Sequence, residues 1–310
     1  MRPLRWSSFA RIIPSSGLCA KKTLAHEELT MPSGPYMSLK LIGLPWQYMV
    51  LGLALCLMLS ALGFKRVVYF VSLGYAASIA VQAIVFPLLY RDTLRGFVLV
   101  QSGLLLAYGL RLGTFLTLRE QTPSFQNEQA ENATRSAKAS GLMKAGIWVS
   151  VSVLYALMFL PALLTMSAQA RGLALPSVPA GVALMVVGLG LEASADWQKS
   201  RFKKHNPSRF CDVGLYRVVR FPNYFGEMLF WVGVWISAIS AYRSLSCWVL
   251  GSAGLLCICL VMLGSSRRLE LKQSQRYGSN AAYGAYARKV PILFPILPIY
   301  SLRNLKVFLG

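Results

Sequence analysis

Four groups of polar and charged residues interrupt the apolar stretches of this chain, and their types suit proton transfer and the holding of anions. Glu192, Asp196, Lys199 and Lys203 recur at i, i+4, i+7 and i+11, one helix face with the acids inward and the bases toward water. Such neighbours can pair along the face, and the cations suit a helix C-terminus. Equally, the stripe suits a polyanionic ligand. Gln101, Tyr108, Arg111, Phe115 and Arg119 share a face of an earlier helix. A polar stripe on an apolar helix has to face a cavity or a partner, so Arg111 is a site candidate. Arg119, at the helix end, is expected to reach for lipid headgroups. In CDVGLYRVVRFPNYFGEMLFWVGVW, Pro222 holds Phe221 extended and Asn223 is placed to cap the following helix. Glu227 then lies about one turn inside, near the positive end of the helix dipole, with Tyr216, Arg217, Arg220 and Tyr224 close in sequence. A basic loop leading into a helix N-terminus suits a phosphate group. The last group, SSRRLELKQSQRYGSNAAYGAYARKVPILFP, carries Arg267, Arg268, Tyr283 and Tyr286. By itself it reads as a basic amphipathic tail on anionic lipid.

The elements that must position these groups are membrane helices. Of 310 residues, 55% are hydrophobic and only 14% charged, with 32 Lys+Arg against 11 acids. Disorder is excluded by the apolar content, and a soluble nucleic-acid binder by the low charge density. About 20 apolar residues cross a bilayer core as a helix. Seven stretches qualify: 45–64, 67–90, 96–118, 143–167, 177–197, 224–242 and 245–264. The fold class expected is therefore an all-α membrane bundle of about seven transmembrane helices. Residues 291–300, PILFPILPIY, are too short and proline-broken to span and are expected at the interface or as a re-entrant piece. The six cysteines form no CxxC pair, and two histidines are too few for a His-rich site, so no metal centre is expected.

The loops are asymmetric. The side holding 65–66, 119–144, 198–223 and the tail after 264 carries 21 Lys and Arg, whereas the opposite side carries 4 from residue 45 onward. That bias predicts a cytosolic C-terminus and leaves the Asn132–Thr134 sequon unglycosylated. Residues 1–44, basic and serine-containing before Glu27, read equally as a transit peptide, a tail, or an over-long start preceding Met31 or Met37. A membrane domain over 45–300 and a basic tail over 301–310 complete the expected organisation.

The run ADWQKSRFKKHNP…GLYRVVRFPNYFGE…WVGVW, then R…Y…Y…VPILFP, resembles the steroid 5-alpha-reductase C-terminal superfamily over about residues 45–300. Within it, the chain is most similar to a multi-pass family of unassigned function marked by D-x-Q and G-L-[WY]-x-x-x-R-H-P-N-Y-F-G-E. The resemblance implies a helical bundle with a cofactor pocket on the cytosolic side, and NADPH-dependent reduction of a C=C bond in a lipid or steroid-like substrate. It implies Tyr108, Arg111 and Glu227 as catalytic residues. Asp196, Lys203, Arg217, Asn223, Tyr224, Arg267 and Arg268 are implied as cofactor-binding. Two departures stand out. Phe221 replaces the motif His, and the first two spans hold no acid to polarise a ketone, leaving Gln82 or Gln101 as substitute donors. The alternatives are a membrane methyltransferase of the isoprenylcysteine or phospholipid type, using S-adenosylmethionine, and a non-catalytic lipid-binding protein. Reductases of this kind imply the endoplasmic reticulum, while the leader leaves a mitochondrial membrane open. The partners expected are the bilayer and a hydrophobic substrate, not nucleic acid.

Overall fold

The computed structural model describes residues 44–121 and 140–305, and the regular structure among them is helical. The expectations for residues 1–43, for the sequon and for the end of the tail fall outside the described residues. The helices are α1 (Trp46–Ser60), α2 (Val68–Val71), α3 (Leu73–Leu89), α4 (Gly96–Glu120) and α5 (Gly141–Ala170). They continue with α6 (Val178–His205), α7 (Pro222–Ser237), α8 (Leu245–Tyr277) and α9 (Ala281–Lys289). Seven helical segments are long and apolar enough to cross a membrane, at the seven expected places, so the chain is an integral multi-pass membrane protein. The second span is interrupted at Ser72, where φ −119° and ψ −90° separate α2 from α3. α4, α6 and α8 run on past their apolar stretches, and their extensions gather at the Lys- and Arg-rich end of the bundle.

Without water to exclude, membrane helices associate by close packing and interhelical hydrogen bonds, which favours small residues at contacts. Glycines spaced by seven supply this on α6 and α7. A Cβ on Gly226 would come 2.6 Å from the Glu192 N and 2.8 Å from the Gly188 O. One on Gly188 would meet the Phe230 N at 2.5 Å, and one on Gly181 would meet the Gly233 O at 2.5 Å. The two backbones therefore touch along their shared length. At the end remote from the basic loops, Gln101 donates to Ser237 and accepts from Thr165 Oγ1 at 2.8 Å, tying α4, α5 and α7 together.

The C-terminal segment is tied to the bundle by backbone hydrogen bonds. Residues 291–300 form a non-helical hook that reverses on itself, the Ile292 N donating to Ile299 O at 2.8 Å, and that folds onto the α6–α7 connection. The Arg220 N donates to Pro291 O at 2.9 Å and the Phe221 N to Ile292 O at 3.1 Å. Ile292 and Leu293 are fully buried, while the tip residue Ile296 is 91% exposed. A buried ion pair closes the hook. Arg220 Nη2 lies 3.4 Å from Glu270 Oε1 and also donates to Tyr300 O, and Glu270 Oε2 accepts from the Leu302 N at 2.8 Å. α9 packs one face on the protein. Tyr283 is buried, and with Tyr286 it packs on Phe210.

Gly226→Ala forces the α6–α7 backbones apart and should lower stability by about 1–3 kcal/mol, as overpacking does. Gly190→Ala, with nothing within 4 Å of its Cβ, should not; thermal unfolding in detergent separates them. Arg220→Ala removes the buried cation from Glu270 and leaves it the Leu302 N and the exposed Arg303 at 3.8 Å, so the loss of stability should fall below the about 3–5 kcal/mol of a fully stranded buried charge. By loosening the hook, the substitution should let the backbone at the already exposed Arg288 and Lys289 be cut by trypsin, whereas the outward-facing Arg217→Ala should leave cleavage unchanged.

Candidate functional site

The close approach of α6 and α7 sets Glu192 and Glu227 on neighbouring positions across the glycine contact, both buried. Each is met by groups from other helices. Tyr75 of α3 and Tyr108 of α4 place their hydroxyls 2.8 Å apart, and these lie 3.0 and 2.8 Å from Glu227 Oε1. Trp231 Nε1 donates to the Tyr75 hydroxyl at 2.8 Å, so that hydroxyl directs its own proton toward Tyr108 or Glu227. Stacking fixes the rings: Tyr75 lies on Tyr155 at 5.1 Å and Tyr108 on Phe230 at 4.5 Å. On the basic side of this cluster, Arg111 Nη1 lies 2.6 Å from Glu192 Oε1, and Nη2 is bonded to Asp196. The acids of the α6 stripe thus pair with α4 rather than with Lys199 and Lys203 along their own helix.

Beyond Asp196 the same stripe runs into a cavity of about 130 Å³ between the end of α6, the 210–220 connection and α8. Its cations are Lys199, Lys203, Arg220, Lys272 and Arg276. The walls include Phe210, Tyr216, Tyr277 and Tyr286. Burial pushes the Tyr216 and Tyr286 phenols and the Cys211 thiol up from their ordinary ranges, so the walls remain neutral and the field inside is cationic. Arg220 Nε is buried with no hydrogen-bond partner among the described residues. That donor suits an anion. A second cavity, about 170 Å³ and apolar, lies between α1, α3 and α5, lined by Trp46, Phe86 and Phe159. Gln82, on its wall, is two helical turns along α3 from Tyr75, about 10 Å.

The expected site residues separate into two sets. Tyr108, Arg111, Glu227 and Asp196 converge. Tyr224 sits half-buried at 6.0 Å from the Phe221 ring and within electrostatic reach of Arg268, Glu227 and Asp196. Arg268 is exposed on the α8 face that also carries Lys272 and Arg276. The others are diverted. Lys203 lines the cavity, but its ammonium is held by Pro207 O at 3.3 Å, by Arg209 O, and by the Tyr277 hydroxyl at 2.8 Å. It fixes the cavity wall. Arg217 points outward and donates to Asp212 O, while Arg267 donates to Arg303 O in the C-terminal hook. Asn223 does not cap α7: Pro222 is the first helical residue, Phe221 precedes it, and no side chain caps the helix. That leaves Asn223 in the first turn, half-buried beside Pro222.

Phe221 is 1% exposed, so the position where the motif carries His points into the core. Both glutamines are engaged within the bundle. Gln101 is locked between Ser237 and Thr165, and Gln82 Nε2 is bonded to Ser78 O at 3.1 Å. The group missed from sequence is Tyr75. Its signal was weak, one of three tyrosines in a span that also carries Ser72, Ser78 and Gln82, and only the packing of α3 on α4 joins it to Tyr108.

No curated protein and no solved structure matches the chain. A family model described as a protein of unknown function (DUF1295) matches residues 57–290, which takes in the whole carboxylate–tyrosine cluster and the basic cavity. The chain therefore belongs to the DUF1295 family, which is related to steroid 5-alpha-reductase-like proteins.

Proposed function

We propose that this protein is a membrane oxidoreductase that reduces a C=C bond of a lipid or steroid-like substrate with NADPH. The observation that carries the reading is one continuous line of groups. It begins at Tyr75, Tyr108 and Glu227 inside the bundle, passes through Arg111, Glu192 and Asp196, and ends in the cationic, aromatic-walled cavity at the basic end. A long ligand with an anionic end and a reactive end fits that line. Lys199, Lys272, Arg276 and the unpartnered Nε of Arg220 would hold its phosphates, and Tyr216 and Tyr286 would flank it. Asp196, Asn223 and Tyr224 lie along its course toward Glu227. NADPH, when bound, supplies the hydride. The chain supplies the rest: Tyr108 donates a proton or hydrogen bond to the polarised end of the substrate, while Arg111 and Glu227 hold the phenol side of the site in place. The apolar cavity beside Gln82 suits the body of a hydrophobic substrate.

Lys199, Lys272, Arg276 and the unpartnered Nε of Arg220 argue against S-adenosylmethionine, whose sulfonium is positive and which has no phosphate. They also argue against a purely lipid-binding role, because the cations line an aromatic pocket rather than an open surface. By the loop-charge bias, the basic end and the C-terminus are cytosolic, and the endoplasmic reticulum is the membrane proposed.

NADPH should raise the unfolding temperature of the detergent-solubilised protein, and S-adenosylmethionine should not, since only a ligand of the folded state stabilises it. Lys199→Ala removes a charged contact of about 1.5–3 kcal/mol and should weaken NADPH roughly 10- to 100-fold. Arg217→Ala should leave affinity within twofold. A shift produced by S-adenosylmethionine alone overturns the reading. Tyr108→Phe should cut lipid-dependent NADPH oxidation by about 100-fold or more while NADPH still binds; unchanged turnover would remove Tyr108 from the chemistry.

A further inference from the structure

Reduction of a polarised double bond consumes a hydride and a proton, and the inference below rests on that reading. Tyr108 is 0% exposed, so a phenol that has given up its proton cannot be refilled from bulk water directly. Its hydrogen-bond partners are Tyr75 and Glu227. Across the glycine contact stands Glu192, 3% exposed, with Oε1 on Arg111 and Oε2 buried and without a hydrogen-bond partner among the described residues. The groups facing this pair are Tyr75 from α3, Tyr108 and Arg111 from α4, and Tyr155 from α5, with Arg119 of α4 reaching Asp196 and Tyr224 beside it. Asp196 and Lys199 from α6 and Tyr224 from α7 complete the set. Among the ion pairs of the cluster, Arg111 is the cation, and it is divided between Glu192 and Asp196. Two buried carboxylates on helices whose backbones touch between them, beside one divided guanidinium, cannot both be ionised cheaply: like charges disfavour each other, and an uncompensated buried charge costs several kcal/mol.

We propose that Glu192 and Glu227 hold a single proton between them, and that this shared proton reloads Tyr108 from the cytosolic side. The Tyr108 O–H bond breaks as the new substrate C–H bond forms, the electron pair staying on the phenol oxygen. The carboxylic O–H of Glu227 then breaks and its proton restores the phenol. The pair is left doubly ionised until water at Asp196, which lies 12% exposed at the basic end, returns one proton through Glu192. One proton enters from solvent for each hydride taken from the dihydronicotinamide. Glu192 is a positioning and relay residue in this scheme, and it does not touch substrate.

The test is infrared spectroscopy of the full chain in lipid nanodiscs near neutral pH, following the carbonyl stretch of protonated carboxyl groups in H2O and D2O. A shared proton predicts a deuterium-sensitive band that disappears in Glu192→Gln and also in Glu227→Gln, because the glutamate left behind keeps its own partners, Arg111 or the two tyrosines, and ionises. Asp196→Asn should retain the band. Absence of the band in the wild-type protein, or its loss in only one of the two Gln variants, overturns the proposal, and the wild-type result decides this even if a variant fails to fold. The band needs neither cofactor nor substrate. A preparation that shows it but never oxidises NADPH would therefore sink the reductase reading and not the shared proton.

Discussion

Backbone contact between α6 and α7 is the constraint from which the interior chemistry follows. With Gly181 and Gly188 facing Gly226 and Gly233, no side chain separates the two helices, and residues next to the contact are forced together whatever their charge. Glu192 and Glu227 are such residues. Lipid gives no return for apolar contact between helices, so the packing at these glycines and the polar groups beside them must hold the pair. The acids are thus both a consequence of the tight packing and part of what has to be stabilised by it.

The other helices are arranged around that need. α4 contributes Arg111 to one glutamate and Tyr108 to the other, one turn apart on a single face, and α3 adds Tyr75. Glu192, Asp196 and Glu227 therefore each have a donor reaching them from a different helix, which couples the orientation of α3 and α4 to the α6–α7 unit. The cations are graded along the axis. Arg111 is enclosed by acids, Lys199 faces both Asp196 and the cavity, and Lys272 and Arg276 stand at the water end. A charged ligand moving inward would pass from excess positive charge to a neutralised interior.

The hook at the C-terminus decides which of the many basic residues belong to that gradient. Glu270 draws Arg220 inward, and Arg303 draws Arg267 away from the cavity. Lys203 is consumed in closing the 206–209 turn against Tyr277. Cations adjacent in sequence consequently have unlike roles, since Arg267 holds the hook while Arg268 remains on the open face of α8. The aromatic cluster of Phe210, Tyr277, Tyr283 and Tyr286 gives the cavity a rigid wall in a region lying beyond the apolar spans.

Helical periodicity and hydrophobicity are local properties, and they were enough to place all seven spans, the α6 stripe of Glu192 and Asp196, and the α4 face of Tyr108 and Arg111. The uneven loop charge was legible for the same reason. What spacing could not decide was which partner each charge would choose, because that depends on helix rotation and on contacts between residues far apart in the chain. Arg111 reaches acids 81 and 85 positions away, Tyr75 reaches Glu227 across 152, and the proline-rich end turns back onto residues 220 and 221. Sequence determined that charges lie within the membrane bundle. The glycine contact and the folded-back C-terminus determined which of them meet, since only close backbone approach and chain reversal bring such distant groups within hydrogen-bonding distance.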